Sequence, residues 1–214
     1  MTQIIFEKLY SINDSSFESF YEIYKESIPN SERKPKDAIS AMLARPDYLI
    51  IVVKKDTLPI GFSILFVPEN ESFCLLEYMA IHSDYRNLGI GGELFLQSYL
   101  IAISKRNAFP MLIEVDSDLE LSEDREIRRR RKRFYKKLGC LIVKNLDYIL
   151  PMQMENPVPR MELMIFRQGK RLLIQKQQLH DWLVVVYENV YNCSPFDSRI
   201  DQMMKNIGDP VELV

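Results

Sequence analysis

The chain is poor in the residues that announce most kinds of special chemistry. Its 214 residues hold three cysteines, Cys74, Cys140 and Cys193, and so odd and scattered a set predicts neither a disulfide framework nor a four-ligand zinc site. Free thiols of a reducing compartment are expected instead. The histidines, His82 and His180, have no partners at metal-ligand spacing, so no metal is expected. Charge of one sign is lacking too: 28 basic and 30 acidic residues leave a formal net charge of -2, which gives no global pull toward nucleic acid or membrane. No run reaches the roughly 18 apolar residues of a membrane span. The opening MTQIIFEKLYSINDSS has too short and too interrupted an apolar stretch for a signal peptide. A cytoplasmic protein without nucleic-acid or membrane partners is expected. No G-x-S-x-G elbow, Cys–His arrangement or G-x-x-x-x-G-K-[ST] loop is found, so covalent acyl transfer and a Walker phosphate loop are not expected.

What is present is an ordinary globular composition, 47% hydrophobic and 27% charged, enough for one sizeable core. IIFEKL (4–9) suits a strand, and Asp14 or Ser15 can cap a helix that places Phe17, Phe20, Tyr21 and Tyr24 on one face. A polar loop and a short helix over 36–44 follow, the latter stopping before Pro46. YLIIVVKK (48–55) and PIGFSILFVP (59–68) read as a hairpin, and FCLLEYMAI (73–81) as a third strand. After a glycine-rich stretch come an apolar helix, a strand PMLIEV (110–115) parallel to its predecessor, and a charged helix from about Glu123 to Leu138 ended by Gly139. CLIVKNLDYIL and RMELMIF then read as two strands joined by PMQMENPVP. The tail carries Leu172, Leu179, Leu183, Val186 and Val190 at helical spacing beside Trp182 and Tyr187, a stripe that serves as core or as an oligomer contact. The order describes one mixed α/β domain over 1–167 and a helical extension over 168–214.

Glycine is scarce, seven in all, yet Gly89, Gly91 and Gly92 crowd into HSDYRNLGIGGELF (82–95). A tight loop without ligand, a phosphate cradle and a dinucleotide fingerprint are the candidates. The fingerprint is weak, because Gly89-Ile90-Gly91 lacks its third glycine and does not follow a strand directly. What fits is [Q/R]-x-x-G-x-[G/A], as Arg86-Asn87-Leu88-Gly89-Ile90-Gly91, between a strand and a helix. Backbone N–H groups cleared of side chains at a helix start form an anion site, and a flanking arginine neutralises a diphosphate.

With LLEYMAIHSDYRNLGIGGELF and, further on, RFYKKLGC (133–140), the chain resembles the GCN5-related N-acetyltransferase (GNAT) superfamily in two motifs at family-like separation. The resemblance implies a mixed, mostly antiparallel sheet flanked by helices, with the strands 73–81 and 110–115 as a splayed parallel pair. It implies acetyl-CoA as co-substrate, its pyrophosphate on Arg86, Asn87, Leu88, Gly89, Ile90, Gly91 and Gly92, and its pantetheine arm along the backbone of Met79, Ala80 and Ile81. Glu77 would be the general base for an amine acceptor, or an exposed strand residue paired with an arginine. Tyr135 would serve the departing thiolate, with Phe134 filling the core, or pack as an aromatic at a helix end. The oxyanion would meet a backbone N–H near Met79.

The helix EDREIRRRRKRFYKK departs from the family pattern: Arg131 and Arg128 stand where a small residue and a coenzyme-binding asparagine are usual, so Arg128 either replaces that contact or does something else. Nine basic residues between 125 and 137 face a nearly as acidic run, Glu114, Asp116, Asp118, Glu120, Glu123, Asp124 and Glu126. Local pairing is the economical reading, ahead of the coenzyme's 3′-phosphate and of nucleic acid. With Glu77, Glu114 and Asp116 would make the acceptor site anionic, or simply pair with that helix. Met152 and Met154 would line its wall or pack under the loop. The function expected is acetyl transfer to a primary amine of a small, cationic molecule. The alternatives are a non-catalytic acyl-CoA sensor or scaffold, and an acetyltransferase of protein N-termini or lysines. The tail helix would close the slot or join two subunits as a homodimer.

Overall fold

Most of the β-branched and aromatic runs become strands where expected, the run over 140–150 excepted. The computed structural model describes residues 3–104, 109–119, 123–151, 160–169 and 173–214, and the chain forms two compact units, Met1–Asn107 and Ala108–Val214. Residues 152–159 of the PMQMENPVP connection, with Met152 and Met154, and Leu172 of the tail stripe lie outside the described residues.

In the first unit β1 (Ile4–Leu9), β2 (Tyr48–Lys55), β3 (Leu58–Phe66) and β4 (Cys74–Ile81) follow one another in an antiparallel sheet. Asp56 makes the β2–β3 turn with φ 56°, and its amide and carboxylate bond Gln3 at the start of β1. Helix α1 (Phe17–Ser27) buries Phe17, Phe20, Ile23 and Tyr24. Phe20 and Tyr24 meet Phe62 of β3 edge-on, at 5.2 and 5.7 Å between ring centroids. Tyr21, expected on that face, stays half-exposed, stacked on Tyr24 and lying under Lys36. Helix α2 (Lys36–Ala44) ends because Arg45 precedes proline and is extended, with ψ 133°. Helix α3 (Ile90–Ile103) buries Leu94, Phe95, Ser98 and Tyr99. The buried Ser98 hydroxyl is satisfied by Leu94 O at 2.6 Å and the Ser63 hydroxyl on β3 at 2.7 Å.

In the second unit β5 (Met111–Asp116), β7 (Met161–Phe166) and β6 (Leu141–Ile142) lie in that order, antiparallel, with α4 (Arg125–Lys137), α5 (Lys176–Asn189) and α6 (Ser198–Met204). The strand expected over 140–150 shrinks to two residues, because Asn145 turns left-handed at φ 61°. Val214 exchanges both backbone hydrogen bonds with Ile142, and Glu212 O accepts from the Lys144 amide. The tail also differs from one long helix. Asn192, at φ 55°, separates α5 from α6, and Leu179, Trp182, Leu183, Val186, Tyr187 and Val190 are buried as core. The fold is mixed α/β, with mostly antiparallel strands flanked by helices.

Candidate functional site

The end of β4 and the start of α3 build the candidate donor site. Opposite Ile81, β3 carries Gly61, where a Cβ would lie 2.5 Å from Ile81 Cδ1 and 2.7 Å from Ala80 O. Only glycine lets the strands approach so closely. Past Ile81 a short turn, Ser83–Tyr85, leads into Arg86, whose Nε–H donates to Ile81 O at 2.9 Å and ties the loop to the strand it leaves. Asn87 and Gly89 then take φ of 63° and 83°, and α3 begins at Ile90. Residues 86–89 are exposed, and a Cβ on Gly89 would meet no protein atom within 4 Å. Gly91 and Gly92 are not loop residues, as the sequence suggested, but belong to the first turn of α3. The Gly92 and Glu93 amides bond Gly89 O, at 3.0 and 3.3 Å. The leading N–H groups of such a helix lack intrahelical partners and attract anions.

Glu77 sits at an irregularity that the sequence does not display. Pairing with β3 runs Ile64 to Tyr78 and then Leu65 to Leu76, so Glu77 is the extra residue of a β-bulge, a device that re-aims a side chain. Its side chain is 3% exposed, and Lys34 Nζ stands 2.9 Å from Oε1. Burial pushes the carboxyl above its ordinary value of 4.5, while Lys34, Tyr48 and Arg45 pull it back. Lys34 belongs to the α1–α2 loop, and that loop is fixed from two sides. The Lys34 amide donates to the Tyr24 hydroxyl at 2.7 Å, and the Tyr78 hydroxyl donates to Glu32 O at 2.9 Å. Tyr24 and Tyr78 pack edge-on at 5.3 Å. Residues 77–80 of β4 are each partly exposed, although the Glu77 carboxylate is not.

In the second unit the acid–base helix is mostly self-paired. Arg128 meets Asp124 at 3.1 Å, Arg129 meets Glu126 at 3.0 Å, and Lys132 meets both Asp118 and Glu162, at 2.8 and 2.6 Å. Asp116 is held by Arg131 at 2.8 Å. Glu114 accepts from the hydroxyls of Tyr148 and Tyr191, the latter at 2.5 Å. Both carboxylates expected near an acceptor are thus engaged by side chains of their own unit. Tyr135 and Phe134 exchange the places the sequence suggested: Tyr135 is buried, with its phenol pushed up to about 12 by burial, and Phe134 is half-buried. Gly139, at φ 93°, ends α4 in the left-handed conformation expected of it. Among the described residues no group of three His, Cys, Asp or Glu side chains could hold a metal ion, and no helix is long and apolar enough to cross a membrane.

An exposed strand-to-helix loop at a helix start, preceded by a bulged strand with a buried carboxylate, is the arrangement that the donor site expected from the sequence requires. Residues 46–139 match the family model of the acetyltransferase (GNAT) domain. The chain is 26% identical over 174 residues, 81% of each chain, to YjbC of Bacillus subtilis (strain 168), a protein provisionally named an acetyltransferase. A GNAT-family structure from Bacteroides thetaiotaomicron superposes with TM-score 0.70 at 20% identity, covering 89% of this chain and 99% of the other. An aminoglycoside 6′-N-acetyltransferase complexed with coenzyme A superposes with TM-score 0.62 at 16% identity, covering 78% and 99%.

Sequence reasoning missed Lys34, Tyr48 and Gly61. A glycine inside a strand signals close backbone approach, so Gly61 was findable. A glutamate among apolar neighbours signals the need for a counter-ion, but no local pattern says which lysine supplies it.

Proposed function

We propose that the chain transfers acetyl from acetyl-CoA directly to a primary amine of a small, cationic acceptor. The observation that carries this reading is the buried Glu77 carboxylate on the bulge of β4, with a primary ammonium already 2.9 Å away. A site that stabilises one alkylammonium is suited to another. The donor's diphosphate lies on residues 86–92, drawn by the N-terminal amides of α3 and the Arg86 charge. Its pantetheine arm follows the backbone of Met79, Ala80 and Ile81 as an added strand would, and Arg128 contributes charge to the coenzyme.

Glu77 takes a proton from the acceptor ammonium, and the freed lone pair attacks the thioester carbon. The raised pKa supports this role, since a base works best when its pKa approaches the working pH. Tyr135 returns a proton to the departing thiolate; its elevated pKa keeps the phenol protonated until then.

The test is release of coenzyme A thiol across a panel of polyamines, aminoglycosides and short peptides. Glu77→Gln should lower kcat/KM about 100-fold with donor affinity retained, and Tyr135→Phe should lower kcat. In the parent, kcat/KM should rise with pH through the raised Glu77 pKa. Tight acetyl-CoA binding with no acceptor-dependent thiol release would point instead to an acyl-CoA sensor. Turnover confined to peptides would move the acceptor to proteins.

A further inference from the structure

We infer that Lys34 is itself an acetyl acceptor, and that the protein acetylates this side chain from acetyl-CoA within its own chain. The inference rests on the proposed role of Glu77 and goes beyond it, because it names a modification site inside the protein. Lys34 presents a primary amine 2.9 Å from the proposed base, with its side chain 22% exposed against 3% for Glu77. Its ammonium is therefore in contact with the base, on a side chain that is partly exposed. Its position is set by the framework, because buried Tyr24 holds the Lys34 amide and Tyr78, next to Glu77 on β4, holds Glu32 O.

The step balances. The Lys34 ammonium passes one proton to Glu77, the neutral nitrogen attacks the thioester carbon, the C–N bond forms and the C–S bond breaks. The nitrogen's second proton leaves as the intermediate collapses, the thiolate takes up one, and one proton in net reaches solvent. The products are Nε-acetyl-Lys34 and coenzyme A. The ammonium charge is then gone, and with it the ion pair that occupies Glu77. Burial already raises the affinity of Glu77 for a proton, which narrows the gap that a proton from an ammonium must cross.

Two neighbouring lysines supply internal controls. Lys36 pairs with Glu18 at 2.7 Å and Lys25 with Glu22 at 2.8 Å, and their side chains are 46% and 38% exposed. Uncatalysed acetylation favours these more accessible amines, whereas catalysis by Glu77 favours Lys34. The experiment incubates the full chain with deuterated acetyl-CoA and follows heavy acetyl at each lysine by mass spectrometry, with fragmentation that separates Lys34 from Lys36. Lys34 should label at least about tenfold faster than Lys25 and Lys36, with a rate constant independent of protein concentration, as expected of an intramolecular reaction. Glu77→Gln should slow Lys34 about 100-fold and leave the two control lysines unchanged. Labelling of Lys34 no faster than Lys36, or a rate constant rising with protein concentration, overturns the inference, and neither readout needs a variant. Thiol release with an added amine, measured alongside, separates the two readings. Amine-dependent release with Lys34 unlabelled refutes self-acetylation alone, and absence of both refutes self-acetylation together with the transferase reading.

Discussion

Replacing Lys34 by methionine keeps most of the stem and removes the charge that faces Glu77, and its cost should depend on pH. Burial raises the Glu77 pKa above 4.5, so the folded chain binds this proton more tightly than the unfolded chain. The associated stability is complete below about 4.5 and is lost as pH rises through the raised folded value. The Lys34 ammonium opposes that loss by favouring the carboxylate, and without it the folded pKa moves higher still. With one partner 3% and the other 22% exposed, the pair lies near the lower end of the buried range. Breaking it should cost about 3 kcal/mol at pH 8, equivalent to a Tm lower by about 6–12 °C in a chain of this size. Toward pH 5, the side on which the raised pKa favours the protonated, neutral carboxyl, the deficit should shrink toward about 1 kcal/mol, the cost of a lost neutral contact. Thermal unfolding of parent and Lys34→Met at both pH values measures this. The double variant Lys34→Met/Glu77→Gln should recover most of the deficit at pH 8, since no unpaired buried charge remains. Equal deficits at the two pH values, or a larger one at pH 5, would refute the reasoning.

Two further outcomes follow from the glycines. Gly89→Ala forces a Cβ into φ 83° with no protein atom within 4 Å, so it should cost only about 1–2 kcal/mol of stability. Acetyl-CoA affinity, read by calorimetry, should fall about tenfold as the methyl enters the space in front of α3. Gly61→Val places side-chain atoms where a Cβ alone would lie 2.7 Å from Ala80 O. It should lower urea stability by about 1–3 kcal/mol and weaken donor binding through displacement of Ala80 and Ile81.

The strands and the loop between β4 and α3 were legible because their signals are local. β-branched runs marked β2 and β3, and a glycine cluster between a strand and a helix marked residues 86–92. What failed to show depends on contacts distant in sequence. CLLEYMAI carries no mark of an extra residue at Glu77, because the bulge exists only relative to β3. Phe134 and Tyr135 are adjacent aromatics, and helical spacing alone does not say which turns inward. Glu114 looked available to a substrate because its phenol partners, Tyr148 and Tyr191, lie far along the chain. The pairing along α4 is legible for the same reason, since oppositely charged residues a few positions apart find one another without tertiary help.

The bulge at Glu77 also makes β4 intolerant of a change in length. In an ordinary strand the facing pattern survives substitution, but here one surplus residue sets the phase of everything after it. Deleting any single residue between Leu76 and Ile81 would either erase the bulge or swap which side chains face each way down to the donor loop. Insertions and deletions in relatives should therefore gather in the connection between Phe66 and Cys74, and the spacing from Glu77 to Gly89 should drift far less than the residues within it.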